Sequence, residues 1–294
     1  MIVVTTPTGR IGRQLVRELV SRGRAVRVIS RDPERLDADL REAVEVVTGS
    51  HDAPDVLDQA LPGADALFVL VPPNPAAPSA REHYLSFATA IAQAARRHRV
   101  GHLVGVTSAG HGWTEPAGVL SAAFAMDAVL ADSGAAYRAL SLPFYMENLI
   151  GQLETIRTRG AFALTCDGDQ PLATVATRDV AEAAADLLTD LSWTGQENLP
   201  LFGPDRLSPH AMAAIIGEEL GRPVAYHRLA EEEFAGMLRA RGASEQAVTD
   251  MVEMFAAQDG GIYDADWAAA RTAVTDFRTW CREVLRPAAG SDVS

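Results

Sequence analysis

The residues best placed to do chemistry lie near the start of the chain, in Thr5-Thr6-Pro7-Thr8-Gly9-Arg10-Ile11-Gly12. The apolar run Ile2–Thr5 precedes them, and Ile11, Leu15, Val16, Leu19 and Val20 follow at helical spacing. A strand, a glycine turn and a helix N-terminus in that order make a phosphate site. Gly9 lets a diphosphate approach the backbone, Gly12 lets the helix pack on the strand, and the first helical N–H groups face the anion. Thr6 stands where the usual dinucleotide pattern has its first glycine, so the motif is degenerate. A second marker is Ile29-Ser30-Arg31-Asp32-Pro33, at the end of the second apolar run. An acid there would hold the ribose diol of NAD, whereas an arginine accommodates the 2′-phosphate of NADP. Asp32 followed by Pro33 reads as a helix N-cap, which leaves Arg31 over the adenosine site and Arg10 as a second phosphate ligand. The pattern predicts an NADPH (NADP) site.

Such a site needs a sheet to hold it, and the hydrophobic rhythm supplies one. Apolar runs at Ala25–Ser30, Val44–Thr48, Ala66–Val71, His102–Thr107 and Tyr137–Leu142 alternate with helical patterns at Val56–Leu61, Ala80–Arg99 and Leu120–Ser133. Strands separated by helices require parallel, right-handed crossovers and a sheet covered on both faces. The fold class is α/β, a Rossmann-like doubly wound parallel sheet with a smaller, mostly helical C-terminal region. Helices are expected at Ala181–Leu191, Ser208–Leu220, Glu231–Arg241, Ser244–Ala257 and Val274–Leu285, with Ser208 capping the second of these. The boundary falls near residue 150: residues 1–150 form the nucleotide-binding domain, 193–206 return to its sheet, and 151–294 form the substrate-binding domain.

Composition narrows the function classes. The 294 residues are 48% hydrophobic, enough for a sizeable core. A formal charge of −13 argues against nucleic acid, which needs a basic face. Two cysteines, Cys166 and Cys281, are too few for a disulfide framework and fit a reducing compartment. With no leader-like segment and no apolar run of roughly 20 residues, the expected setting is cytoplasmic, away from membrane. The last residues, Pro287 to Ser294, read as a solvated tail. The histidines form no metal-binding spacing, so no metal is expected.

Taken together, the segments TTPTGRIG, Ser30-Arg31-Asp32-Pro33, Val-Thr-Ser-Ala-Gly at 106–110, Asp-Ser-Gly-Ala-Ala-Tyr at 132–137, Pro-Phe-Tyr-Met-Glu-Asn-Leu at 143–149 and Thr-Arg-Asp-Val-Ala at 177–181 form a recognisable series. Gly203-Pro204 and Leu220-Gly221-Arg222-Pro223-Val224 extend it. The chain resembles the NmrA-like, atypical short-chain dehydrogenase/reductase family along essentially its whole length. That family includes NADPH-dependent quinone and azo-dye reductases and redox-sensing regulators that bind NADP. The resemblance implies that Thr6, Thr8, Gly9, Arg10, Ile11 and Gly12 meet the pyrophosphate and Arg31 the 2′-phosphate. It places Val71, Pro72, Thr107 and Ser108 at the nicotinamide end. Pro73, Phe144, Tyr145 and Asn148 extend the pocket towards substrate. Trp113 either closes that pocket or covers the core.

The chain departs from the ordinary dehydrogenases of this class in lacking a Tyr-x-x-x-Lys pair; all 26 of its Lys+Arg residues are arginine. The device by which lysine lowers a tyrosine pKa is therefore absent. Hydride acceptors that take their proton from water or a weak donor, such as quinones and enones, remain open. His111 and Tyr145 are the candidate proton donors, although His111 also reads as a surface-loop histidine and Tyr145 as a nicotinamide-packing ring. Two functions follow: an NADPH-dependent oxidoreductase acting on a small conjugated or aromatic substrate, or a regulator that binds NADP(H) without turnover and signals to a protein partner.

Overall fold

A computed structural model describes residues 1–290, and its contacts divide the chain into two units. The first comprises Met1–Ser108, Gly118–Ser141 and Val180–Leu199; the second comprises Ala109–Ala117, Leu142–Asp179 and the chain from Pro200 onward.

The first unit follows the expected alternation. Its elements are β1 (Ile2–Thr5), α1 (Arg10–Ser21), β2 (Val26–Ser30), α2 (Ala38–Ala43), β3 (Glu45–Thr48), α3 (Pro54–Ala60), β4 (Ala66–Val69), α4 (Ala80–His98), β5 (His102–Ser108), α5 (Val119–Ala131) and β6 (Ala136–Leu142). The chain returns to this sheet through β10 (Gln196–Phe202), numbered after the elements of the second unit described below. The order is β3-β2-β1-β4-β5-β6-β10, with β1, β2, β3, β4 and β5 paired in parallel. That order reverses direction between β1 and β4, and an open α/β sheet forms its ligand crevice outside the strand ends at such a point.

The packing explains the pattern. Leu15, Val16 and Leu19 of α1 are fully buried, and Gly23, at φ +68°, ends the helix in a conformation that side chains resist. Ser79 caps α4 by accepting from Glu82 N at 3.2 Å, half of a capping box. Tyr137 lies over Gly105, where a Cβ would stand 2.3 Å from its hydroxyl, and donates to Asp127 at 2.5 Å. Burial first, and then Asp127, push this phenol well above its ordinary pKa, so Tyr137 is a core residue rather than an acid for catalysis.

The second unit builds its own core from Phe144, Met146, Leu149, Phe162, Met212, Phe277 and Trp280. Its strands β7 (Phe144–Tyr145), β8 (Ala161–Leu164) and β9 (Thr174–Val175) were not evident in the sequence, nor were β11 (Ala225–Arg228) and β12 (Arg271–Thr272). They span two to four residues, too short to display an alternation. The helices that follow β6 in the chain are α6 (Leu153–Arg159), α7 (Thr177–Thr189), which belongs to the first unit from Val180 on, α8 (Pro209–Leu220), α9 (Glu231–Ala240), α10 (Glu245–Asp259), α11 (Asp264–Trp267), α12 (Phe277–Trp280) and α13 (Arg286–Gly290). Ser208 caps α8 as expected, accepting from Ala211 N at 3.3 Å. The last expected helix begins at Phe277 and not at Val274, which is 81% exposed. Pro287 to Gly290 of the expected tail continue a helix, while residues 291–294 lie outside the described residues. Glu147 is buried and fully used, accepting from Thr177 N and from Trp280 Nε1 at 3.1 Å. Among the described residues no helix is long and apolar enough to cross a membrane, and no His/Cys/Asp/Glu cluster has a metal-binding arrangement.

Candidate functional site

At the sheet's reversal point, β1 ends on Thr5, whose hydroxyl accepts from Leu70 N at 3.0 Å and donates to Leu70 O at 3.4 Å. The latch fixes the carboxyl ends of β1 and β4 side by side. Thr6 then turns the chain at φ +50°, a left-handed conformation that costs a β-branched residue of order 1–3 kcal/mol. The usual glycine stands here for that reason; Thr6 keeps the conformation and adds a hydroxyl. Its carbonyl accepts from Gly9 N at 3.1 Å, and Gly9 leads into α1 with no side-chain cap. The N-terminus of α1 is thereby left for an outside acceptor. A Cβ on Gly12 would stand 2.2 Å from Thr6 O, so no other residue fits beneath the turn.

Arg31 follows β2, exposed, and makes no hydrogen bond or ion pair among the described residues. Its neighbours differ: Arg17 pairs with Asp37 and Asp39, Arg13 pairs with Asp37, and Arg41 with Glu34. Arg10 is likewise exposed and uncommitted. The expected cap by Asp32 is not formed. Residues Pro33–Arg35 make a single 3₁₀ turn, closed by backbone bonds from Arg35 N to Asp32 O and from Leu36 N to Pro33 O. The Asp32 side chain stays exposed.

His51, just beyond β3, was missed in the sequence; its signal was the Gly49-Ser50 break at a strand end. It is 7% exposed, lies 4.6 Å from the Phe87 ring, and its Nε2 has no partner. Burial, aided by Arg31 and His83 against Asp52 and a hydrogen bond to the Leu70 backbone, lowers its pKa from 6.5 to about 4. The unfolded chain therefore takes up this proton first as pH falls. The stability that neutral His51 contributes is complete above pH 6.5 and is lost between there and about pH 4. Urea unfolding should show wild type losing about 2 kcal/mol more than His51→Gln between about pH 7 and about pH 5. Equal losses would show that this ring titrates normally.

At the far end, Val71 is buried, the Pro72 carbonyl accepts from His83 Nε2 at 2.9 Å, and Pro73 is exposed. Thr107 and Ser108 close β5 at 6% and 8% exposure. Two buried hydroxyls, Thr6 Oγ1 and Thr107 Oγ1, have no hydrogen-bond partner among the described residues. Buried polar groups are normally paired, and these two lie at strand carboxyl ends, so the crevice fits a polar, phosphate-bearing ligand. The first unit thus brings Thr6, Thr8, Gly9, Arg31, Val71, Pro72, Pro73, Thr107 and Ser108 onto strand ends and the loops that follow them, and Arg10, Ile11 and Gly12 into the first turn of α1.

The remaining candidates belong to the second unit. Gly110 N donates to Asp266 at 2.6 Å, and a Cβ on Gly110 would meet Ile262 at 2.4 Å, so the loop bearing His111 and Trp113 is pinned. Both side chains are half-buried, and the Trp113 ring reaches Gly260. Phe144 sits in the apolar core, Tyr145 is half-buried beside it, and Asn148 is exposed.

Residues 7–191 match the NAD(P)H-binding family. Among characterised proteins, the chain is 28% identical over 258 residues to an NAD(P)H azoreductase of Xenophilus azovorans, covering 87% of this chain and 86% of that protein. It is 30% identical over 244 residues to the (4-alkanoyl-5-oxo-2,5-dihydrofuran-3-yl)methyl phosphate reductase of Streptomyces griseus, covering 82% and 81%. Its fold matches the crystal structure of the NADPH-dependent quinone oxidoreductase QOR2 of Escherichia coli complexed with NADPH, at a TM-score of 0.79, 21% identity, and coverage of 96% of this chain and 98% of that one. The Rossmann-like fold is borne out, and the resemblance read from the motifs is borne out at the level of the NAD(P)H-binding family. With the family match spanning most of the chain and a cradle that suits a dinucleotide, this protein belongs to the NAD(P)H-binding family.

Proposed function

We propose that this protein is an NADPH-dependent reductase that passes hydride to a conjugated or aromatic acceptor such as a quinone or enone. The observation that carries the reading is Arg31, an uncommitted guanidinium on the loop after β2 in a unit whose glycine cradle suits a diphosphate. The names of the related azoreductase and dihydrofuranone phosphate reductase support the acceptor class. NADPH, when bound, supplies the hydride. Backbone amides from Thr8 to Gly12 bind the diphosphate, Arg31 and Arg10 select the extra phosphate, and Val71, Pro72, Thr107 and Ser108 orient the nicotinamide. Pro73, Trp113, Phe144, Tyr145 and Asn148 are our candidates for holding the acceptor, and His111, then Tyr145, for returning a proton. With no lysine to activate a tyrosine, acceptors that draw their proton from water suit the chain better than simple ketones. The free thiols Cys166 and Cys281 suit a reducing, cytoplasmic setting.

Purified protein mixed with NADPH should oxidise it in the presence of some member of a quinone and enone panel, and leave unactivated ketones untouched. NADPH binding with no turnover across the panel would sink the reductase reading. It would favour the alternative, a redox-sensing regulator with a protein partner, which the missing Tyr-x-x-x-Lys pair supports.

A further inference from the structure

The second unit contains a cavity of about 380 Å³, within the roughly 300–1,000 Å³ of small-molecule sites. Strands β8 and β11 run parallel with Leu164 opposite Arg228, so Thr165 and Arg228 emerge together at their carboxyl ends. Helix α10 adds Phe255 and Asp259, one turn apart and so on one face. Phe234 of α9 meets Phe255 edge to face at 5.1 Å, giving the cavity an aromatic wall.

The opposite pole is polar and acidic. Arg228 is already engaged: Nε donates to Thr165 O at 3.0 Å, Nη2 to Asp259 at 3.1 Å, and Nη1 lies 3.5 Å from Asp167. Two carboxylates share this one guanidinium, and Glu231 of α9 joins Asp259 in the lining. Asp259 Oδ1 and Thr165 Oγ1 are buried with no hydrogen-bond partner among the described residues. Burial, with the neighbouring Asp167 charge, raises the Asp259 pKa against the pull of Arg228 and the Asp167 amide. An anion entering here meets excess negative charge and an arginine already occupied. A cation gains a charge-assisted hydrogen bond at one end and the ring faces at the other.

We propose that this cavity binds a small amphipathic cation, a protonated amine whose ammonium meets Asp259 and Thr165 and whose aromatic body lies against Phe234 and Phe255. The site is separate from the dinucleotide reading, and its test needs no dinucleotide. Calorimetric titration of the full chain near neutral pH with 2-phenylethylamine, 2-phenylethanol and 3-phenylpropanoate should rank the amine tightest, by about tenfold or more over the propanoate. Asp259→Asn should cost the amine about tenfold and the alcohol little. Where circular dichroism shows that variant unfolded, Thr165→Val serves instead, with a smaller loss for the amine. Propanoate or alcohol binding as tightly as the amine overturns the proposal. So does a folded Asp259→Asn of unchanged amine affinity, or no heat from any probe at low-millimolar concentration. The ranking on the wild-type chain decides the matter even if neither variant folds.

Discussion

Gly12→Ala is expected to weaken NADPH association by about 100-fold or more and to cost the fold about 1–3 kcal/mol. The added methyl would stand 2.2 Å from the Thr6 carbonyl oxygen and 2.9 Å from its carbon. Both are backbone atoms, so no side chain can swing aside. The turn or the helix must move, and the amides of α1 lose their aim at the diphosphate; one or two charged hydrogen bonds at about 1.5–3 kcal/mol each account for the fold-change. Gly9→Ala is the control. Its methyl would lie 3.4 Å from Thr6 O and its φ of −77° suits any residue, so the protein should keep its stability. It should still lose affinity, because the methyl occupies the phosphate's approach. Titration of both variants with NADPH, alongside thermal unfolding, separates the two effects. Full affinity in Gly9→Ala would place the diphosphate elsewhere.

Arg31→Ala should weaken NADPH by about 1.5–3 kcal/mol, roughly 10- to 150-fold, and leave NADH within about twofold. The asymmetry is the point of the experiment. Arg31 has no ion pair to lose, so its removal leaves no orphaned carboxylate and the fold is unaffected. Any loss of binding then reports on the ligand alone, and only NADPH carries the 2′-phosphate. Equal losses for the two dinucleotides would assign Arg31 to general electrostatic attraction, and the 2′-phosphate would need Arg10 or another cation.

The nucleotide-binding unit was legible because β1, β2, β4, β5 and β6 are buried along nearly their whole length and therefore read as short, continuous apolar runs. The glycine loop was legible for a local reason, since strand, turn and helix start are contiguous. The capping role of Asp32 was misread because Asp-Pro carries the same signal before an α-helix and before a single 3₁₀ turn. His51 was marked only by the Gly49-Ser50 break before it. Only the packing of Phe87 from α4 makes it a buried, neutral imidazole. In the second unit, strands of two to four residues leave no period to detect; Thr165 and Arg228 become neighbours only through the β8–β11 register, and Asp259 joins them only through the packing of α10.

By itself, then, the amino-acid order determined the family, the parallel sheet and the glycine loop at the end of β1, because those rest on contiguous residues and short-range periodicity. Tertiary structure alone decided that Thr6 bears the left-handed turn, that Arg31 stays unpaired while its neighbours find carboxylates, and which buried polar atoms lack partners. These depend on groups far apart in the chain meeting at one place, and the depth of burial that sets their charge exists only after the chain has packed.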